Sequence, residues 1–268
     1  MIYHNNSYRN ELMRLGFIGT GQITKAVING ILSSKIKYSK IYISKRNNII
    51  SKELGKKSKK IFIYNDNQKI INNSDWIFLA ITPEVAKKII KNYKFKKKQV
   101  IISFISTLKM NDLKKIINVK ANIVRAIPLP PISLKKGPVP LFPPNQKVKN
   151  FFNHLGNSIE IKNENLSLNF WTTSAMMAPF YYILQTLSEW LVKKGVKKET
   201  AQKYITSLFV ALSQDAFEKS FNLKKLVKDS QTPNGLNEQS VKELKKLSFF
   251  KSLNKTAEII LKRLKKKS

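Results

Sequence analysis

The sequence predicts an α/β protein: an N-terminal Rossmann-type dinucleotide-binding domain built on a mostly parallel sheet, followed by an all-helical dimerisation domain. Three observations carry this expectation. Short apolar runs bounded by turn residues alternate with helical patterns from Leu15 to about Ile161. Two glycines, Gly19 and Gly21, close the first run. After about Asn163 no strand pattern remains, and only long helical stretches follow.

The elements are justified in chain order. Apolar runs at Leu15–Ile18, Ile41–Ser44, Ile61–Tyr64, Trp76–Ile81, Val100–Ile105 and Ile123–Ile127 have the length and composition of buried strands. Helical spacing appears at Ile23–Leu32, around Ile49–Leu54, at Pro83–Lys91 and at Asn111–Ile117. Strands that alternate with helices make βαβ units, and βαβ units make a parallel sheet. Pro128, Pro130 and Pro131 end the regular alternation, because proline cannot donate to a sheet ladder. One more short strand follows between Gly137 and Pro144, then a helix at Phe151–Leu155 and a last strand at Ser158–Ile161. The later helices are expected at about Leu166–Lys193, Lys198–Ser220, Val241–Leu247 and Leu253–Lys266.

Three segments result: a polar N-terminal extension at 1–12, an NAD(P)-binding domain at 13–162, and a helical dimerisation and substrate domain at 163–268. Phe180, Tyr181, Ile183, Leu184, Leu187, Trp190 and Leu191 cover much of one helix circumference. A helix so apolar needs partners on several sides, which a second subunit supplies, so a homodimer through the C-terminal helices is expected.

Composition narrows the chemistry. The 268 residues contain no cysteine and two histidines, which removes disulfides, thiolate nucleophiles and Cys-based metal sites, so no metal is expected. No run reaches the ~18 apolar residues that span a bilayer, and residues 1–13 have no apolar core of a secretion signal. No membrane partner and a cytoplasmic location are therefore expected. The net charge is +34, from 50 basic and 16 acidic residues. The lysines are spread over the whole chain, with no stripe of interleaved aromatics, and Lys, Asn and Ile share A/T-rich codons. No specific nucleic-acid partner is expected, although salt-sensitive adhesion to polyanions is.

The segment Gly19-Thr20-Gly21-Gln22-Ile23-Thr24 has the form G-x-G-x-x-T. The first glycine permits a tight turn after the strand, and the second lets a pyrophosphate approach the backbone. A helix opening near Gln22 and Ile23 offers N–H groups to the phosphates. Thr24 departs from the usual Gly or Ala. Where an acidic residue would hold a ribose 2′-hydroxyl, 25 residues past Gly19, stand Ser44, Lys45 and Arg46. A hydroxyl and two cations suit a 2′-phosphate, which favours NADPH and leaves NADH as the second choice.

The order of motifs resembles the pyrroline-5-carboxylate reductase family, over nearly the whole chain from Met13. Leu15-Gly16-Phe17-Ile18-Gly19-Thr20-Gly21 is close to the family's opening. Asn67 stands eight residues before Asp75, as does a family asparagine that meets the cofactor's adenosine end. Asp75–Pro83 resembles "DvvfLAvKPq", a stretch that lies along the cofactor, and so places Ala80, Ile81, Thr82 and Pro83 beside it. Val124-Arg125-Ala126-Ile127-Pro128 resembles "vRvMPN", and Ala178-Pro179-Phe180-Tyr181 resembles "GPAy" at the start of the dimer helix. Thr232-Pro233-Asn234-Gly235-Leu236-Asn237 resembles "SPGGTT", the loop that holds the substrate. The departures fall in the site: Thr82 replaces a lysine, Leu129 an asparagine, Ala175 and Met177 the serines of "SGS", and Leu236 and Asn237 the paired threonines.

The resemblance implies NADPH-dependent reduction of a small cyclic imino acid. The nicotinamide is expected near Ala80–Pro83 and Ser103–Ser106. Thr232, Asn234, Gly235, Leu236 and Met177 are expected around the substrate, with the α-helix start at Gly235–Glu238 holding its carboxylate. Asn237, which keeps an N–H donor, is expected at the imine nitrogen. Two alternatives stay open. One is a reductase of another small imine or carbonyl acid, as in the beta-hydroxyacid dehydrogenases, for which Lys193 or Lys194 is the positional candidate for the acid/base. The other is a non-enzymatic dinucleotide- or polyanion-binding protein.

Overall fold

The computed structural model describes residues 12–219 and 222–267, so the expected extension at 1–12 lies, apart from Leu12, outside the described residues. The chain divides into two units, one ending at Trp171 and the other covering Thr172–Lys266. Each is taken by itself.

The first unit is built on one eight-stranded sheet: β1 (Met13–Ile18), β2 (Tyr38–Ser44), β3 (Ile61–Tyr64), β4 (Trp76–Leu79), β5 (Val100–Ser103), β6 (Asn122–Ala126), β7 (Pro138–Phe142) and β8 (Asn157–Glu160). Their order across the sheet is β3-β2-β1-β4-β5-β6-β7-β8. All pairs are parallel except β6 with β7. The connecting helices are α1 (Gln22–Leu32), α2 (Asn48–Lys57), α3 (Asn67–Asn73), α4 (Pro83–Ile89), α5 (Met110–Ile117) and α6 (Gln146–Asn153).

The central strands are apolar on both faces because helices cover both, as parallel sheets require. Leu15, Phe17, Ile41, Ile43, Trp76 and Phe78 point to one core, shared with Val27, Ile31, Leu54, Phe151 and Phe152. Ile18, Tyr42, Ile77, Leu79 and Ile101 point to the other, shared with Ile70, Ala86, Leu113 and Ile117. Phe17 and Phe78 lie opposite in the β1–β4 register and stack, with centroids 4.4 Å apart. The two neighbours of β1, β2 and β4, continue in opposite directions across the sheet. That reversal is where an open α/β sheet leaves a crevice at its strand C-termini.

Helix α3 is absent from the expectations. Only Ile70 and Ile71 of its seven residues are buried, too few for a period, and its asparagines read as turn. Its start is nonetheless marked, since Asp66 caps it by accepting from the Gln68 N–H.

The second unit is helical: α8 (Met177–Lys193), α9 (Lys198–Lys219), α10 (Leu223–Asp229), α11 (Leu236–Lys246) and α12 (Phe249–Lys267). The stretch expected as one helix from about Leu166 is broken at Ala175–Met176 into α7 (Ser167–Ser174), which straddles the two units, and α8. Helix α10 was not expected, and α11 and α12 both start earlier than their patterns suggest. Helices α8 and α9 pack together, with the Phe180 and Phe209 rings edge-on at 5.9 Å. Much of their apolar surface stays open within the chain. Tyr181, Tyr182 and Trp190 on α8 and Tyr204, Val210, Leu212 and Phe217 on α9 are each more than half exposed. Among the described residues, no helix is long and apolar enough to cross a membrane.

Candidate dinucleotide site

Strand β1 ends in a glycine turn whose two glycines are required for different reasons. Gly19 has φ +99°, and a Cβ there would stand 2.3 Å from the Ala80 carbonyl oxygen. The turn is pressed against the end of β4, so only glycine fits. Gly21 has φ −103°, which any residue adopts, and a Cβ there would meet nothing within 4 Å. The fold does not need glycine at 21, where the missing side chain leaves the backbone open to a ligand. Helix α1 starts immediately after, with no side-chain cap and no acidic residue in its first turn. Its first N–H groups have no intrahelical acceptor and carry the partial positive charge of the helix. Gln22 is exposed and Ile23 half-buried at this mouth.

Thr24 explains its own departure from the motif. It is fully buried, and its hydroxyl donates to the Gly19 carbonyl at 2.8 Å, so it fastens helix to turn where Gly or Ala would only give room. Thr20 is buried likewise, with its hydroxyl donating to the Ser44 carbonyl.

At the end of β2 the expected trio separates into two roles. Ser44 is 4% exposed. Its hydroxyl accepts the Gly19 N–H at 3.0 Å, and its proton lies between the Phe17 carbonyl at 3.1 Å and Asn67 Oδ1 at 2.9 Å. Its hydroxyl therefore braces the glycine turn from below and is not offered to a phosphate, which corrects the expected role. Lys45 and Arg46 are exposed beside the crevice. Asn67, half-buried, gives its oxygen to Ser44 and one Nδ2 hydrogen to the Tyr93 hydroxyl at 2.9 Å, leaving one N–H to offer. Tyr93 was not anticipated.

The Gly19–Gly21 turn, residues 46–49 and residues 80–82 border one cleft of about 560 Å³. The sequence thus brings Gly19, Thr20, Gly21, Arg46, Ala80, Ile81 and Thr82 together as expected. Thr82 is exposed and caps α4 without a side-chain bond, and Pro83 occupies the first helical position. Asn48 and Ile49 also line the cleft and were missed. Ile49 carried a signal: it lies off the buried Ile50–Leu54 stripe of α2 and is 81% exposed. This cleft fits a dinucleotide in its donors, charge and lack of Cβ atoms.

Further along the strand ends, the Phe104–Lys109 loop follows β5. Its Ser106 carbonyl accepts from Arg125 Nη2 at 2.6 Å, while Arg125 Nη1 donates to Glu164. The same Glu164 oxygen accepts the Met110 N–H at 2.7 Å. Burial pulls the Arg125 pKa below the usual guanidinium value, against the opposing pull of Glu164.

In the second unit, the substrate-loop candidates form a tight turn into α11. Gly235 N–H donates to the Thr232 carbonyl at 2.8 Å, and Asn234 has φ +59°. Glu238 accepts the Asn234 N–H at 2.8 Å and pairs with Lys242 at 3.0 Å, and these bonds hold its carboxyl below the usual range. The N–H groups of Leu236, Asn237 and Glu238 have no acceptor within the helix by construction. Asn237 Nδ2 donates to the Ser230 carbonyl at 3.0 Å, which uses one of its two hydrogens. Leu236 is 81% exposed, and Met177 opens α8 at 36% exposure.

Two sequence models of known families match the chain in succession. Residues 14–107 match "NADP oxidoreductase coenzyme F420-dependent", and residues 166–267 match "Pyrroline-5-carboxylate reductase dimerisation". The chain is 23% identical over 251 residues to pyrroline-5-carboxylate reductase 2 of Bacillus subtilis, covering 90% of each. It is 27% identical over 130 residues to pyrroline-5-carboxylate reductase 3 of Danio rerio, covering 47% of this chain and 44% of that one. Its fold is that of the Streptococcus pyogenes 1-pyrroline-5-carboxylate reductase, with TM-score 0.80 at 20% identity over 95% and 98% of the two chains. The Plasmodium falciparum pyrroline carboxylate reductase, solved with NADP bound, gives TM-score 0.81 at 20% identity over the same shares.

Proposed function

The chain belongs to the pyrroline-5-carboxylate reductase family, and from that premise we propose that it reduces pyrroline-5-carboxylate to proline with NADPH. The observation that carries the reading is Gly21: an unstrained glycine with open space where its side chain would be, at the start of an uncapped helix. A nicotinamide coenzyme held there would supply a hydride for the imine carbon, the nitrogen carrying a proton from solvent. The α1 amides would hold its pyrophosphate, and Lys45 and Arg46 would neutralise a 2′-phosphate.

The α11 start is assigned the substrate carboxylate, through the Leu236 and Asn237 N–H groups. The remaining Asn237 amide hydrogen is assigned to the imine nitrogen. Leu236 and Met177 are more apolar than the residues that the family pattern has at those positions, so a close analogue of pyrroline-5-carboxylate is the second candidate. The open apolar faces of α8 and α9 are assigned to a second copy of the chain, making a homodimer. A reductase drawing on NADPH is placed in the cytoplasm.

The test is a screen of cyclic imino acids with NADPH and NADH, run with the Asn237→Ala variant alongside. Turnover of pyrroline-5-carboxylate with NADPH, lowered about ten-fold in the variant with cofactor affinity intact, is the expected result. Unchanged turnover removes Asn237 from the chemistry, and no turnover of any imino acid removes the activity.

A further inference from the structure

Arg125 is 2% exposed in the middle of the first unit, a place where a cation has to justify itself. A buried ion pair is poor at stabilising a fold, since apolar residues of like volume do as well or better. Here the polar accounting is also incomplete. Among the described residues, three buried side-chain polar atoms have no hydrogen-bond partner, and they are Arg125 Nε, Trp171 Nε1 and Ser167 Oγ. Arg125 lies against Trp171, its Cζ 4.6 Å from the ring centroid, and Ser167 is one turn before Trp171 on α7.

What Arg125 grips is a loop. One arm of the guanidinium takes the Ser106 carbonyl, and the other takes Glu164, which holds the N–H of Met110 at the start of α5. The fork therefore fixes the middle and the far end of the connection from β5 to α5. The near end is fixed by the Phe104 N–H on the Leu79 carbonyl of β4, at 3.0 Å. Together these bonds hold both ends and the middle of the loop.

The loop stands at the C-terminal end of β5, two strands and so about 10 Å from the glycine turn of β1. A dinucleotide on that turn has its adenosine ribose toward β2, so its other half runs toward β4 and β5. We propose that Arg125 and Glu164 are positioning residues that set this loop against the nicotinamide ring, and so fix the ring's angle to the imine. The inference rests on the reductase reading for its substrate, but only on dinucleotide binding for its geometry.

The experiment compares wild type with Arg125→Lys, which keeps the charge and loses the fork, and Glu164→Gln, which keeps an acceptor for Met110. Three quantities are read on each protein: the NADPH dissociation constant, kcat with its primary isotope effect from NADPH deuterated at C4, and the emission of the bound nicotinamide. A reactant displaced by about 1 Å loses up to about a hundred-fold in rate. Arg125→Lys should therefore lower kcat by about ten- to a hundred-fold, raise the isotope effect and shift the emission, with NADPH affinity within about three-fold of wild type. Glu164→Gln should move all three in the same direction by less.

A folded Arg125→Lys protein with wild-type kcat, isotope effect and emission overturns the proposal. So does a loss confined to thermal stability, or a failure of both variants to fold. If the wild-type protein binds NADPH but reduces no imino acid, the substrate reading has failed. The emission shift in Arg125→Lys then decides the positioning role by itself.

Discussion

Substituting alanine at the two glycines of the cofactor turn should separate folding from binding. At Gly21 the backbone already lies at φ −103° and ψ −170°, and an added methyl meets no atom within 4 Å. Alanine gains about 0.4–1 kcal/mol by restricting the unfolded chain and loses a similar amount as a poorer helix cap, so stability should change by no more than about 0.5 kcal/mol. A pyrophosphate resting on these amides meets the methyl directly. Losing two charge-assisted hydrogen bonds, at about 1.5–3 kcal/mol each, weakens binding by at least about a hundred-fold.

At Gly19 the same methyl would lie 2.3 Å from the Ala80 carbonyl oxygen and 2.7 Å from Ile81 Cγ2, at φ +99°. Strain of about 1–3 kcal/mol adds to an overpacking cost of about 1–3 kcal/mol, so Gly19→Ala should lose about 2–6 kcal/mol of stability. Calorimetric titration with NADPH beside denaturant unfolding reads both numbers. A Gly21→Ala protein that binds NADPH as wild type does would show that no phosphate lies on the turn. A Gly19→Ala protein of unchanged stability would show that the turn is not pressed on β4.

Reversing the charge at Lys45 and Arg46 to glutamate should cut NADPH affinity by at least about ten-fold and leave NADH within about three-fold; equal losses for both coenzymes would detach these residues from the 2′-phosphate. Replacing Trp190, 56% exposed on α8, by aspartate should convert the protein to monomer in sedimentation velocity, and an unchanged dimer would put the interface elsewhere.

Asp75 pairs with Arg14 at 2.7 Å near the opposite end of the sheet. Burial raises its pKa, but the side-chain and backbone bonds from Arg14 outweigh this and lower it overall. A carboxylate lowered on folding stabilises the protein above its unfolded pKa of about 3.9 and loses that contribution as pH falls through the lower folded value. Both side chains are more than 40% exposed, so Asp75→Asn should cost only about 0.5–1 kcal/mol at pH 7, a cost that shrinks as pH falls below the unfolded value and through the lower folded one. Equal stability of the two proteins at pH 7 would contradict the pairing.

The sequence made most of the first unit legible because its signals are local. Short apolar runs bounded by turn residues identified the strands, and Gly19, Gly21 and their place between strand and helix identified the cleft. What stayed hidden depends on contacts between distant residues. Ser44 reads as an exposed hydroxyl at a strand end until β1 is laid beside it, when its hydroxyl is found supporting Gly19 across 25 positions. Arg125 stands out in the sequence only through the "vRvMPN" resemblance, and its partner Glu164, 39 positions on, leaves no mark there. Helix α3 escaped because two isoleucines cannot display a period, and the break at Ala175–Met176 escaped because α7 and α8 are apolar on both sides of it. In the substrate loop, the change to Leu236 and Asn237 was legible, but the bond from Asn237 to the Ser230 carbonyl was not, since backbone acceptors leave no mark in a sequence.

Hydride transfer can be followed atom by atom. With NADPH deuterated at the reactive C4 position and pyrroline-5-carboxylate as substrate, mass spectrometry of the product should show proline carrying one deuterium at C5, formed in step with the NADPH consumed. Proline without the label, or NADPH that binds and is not consumed, would contradict the account.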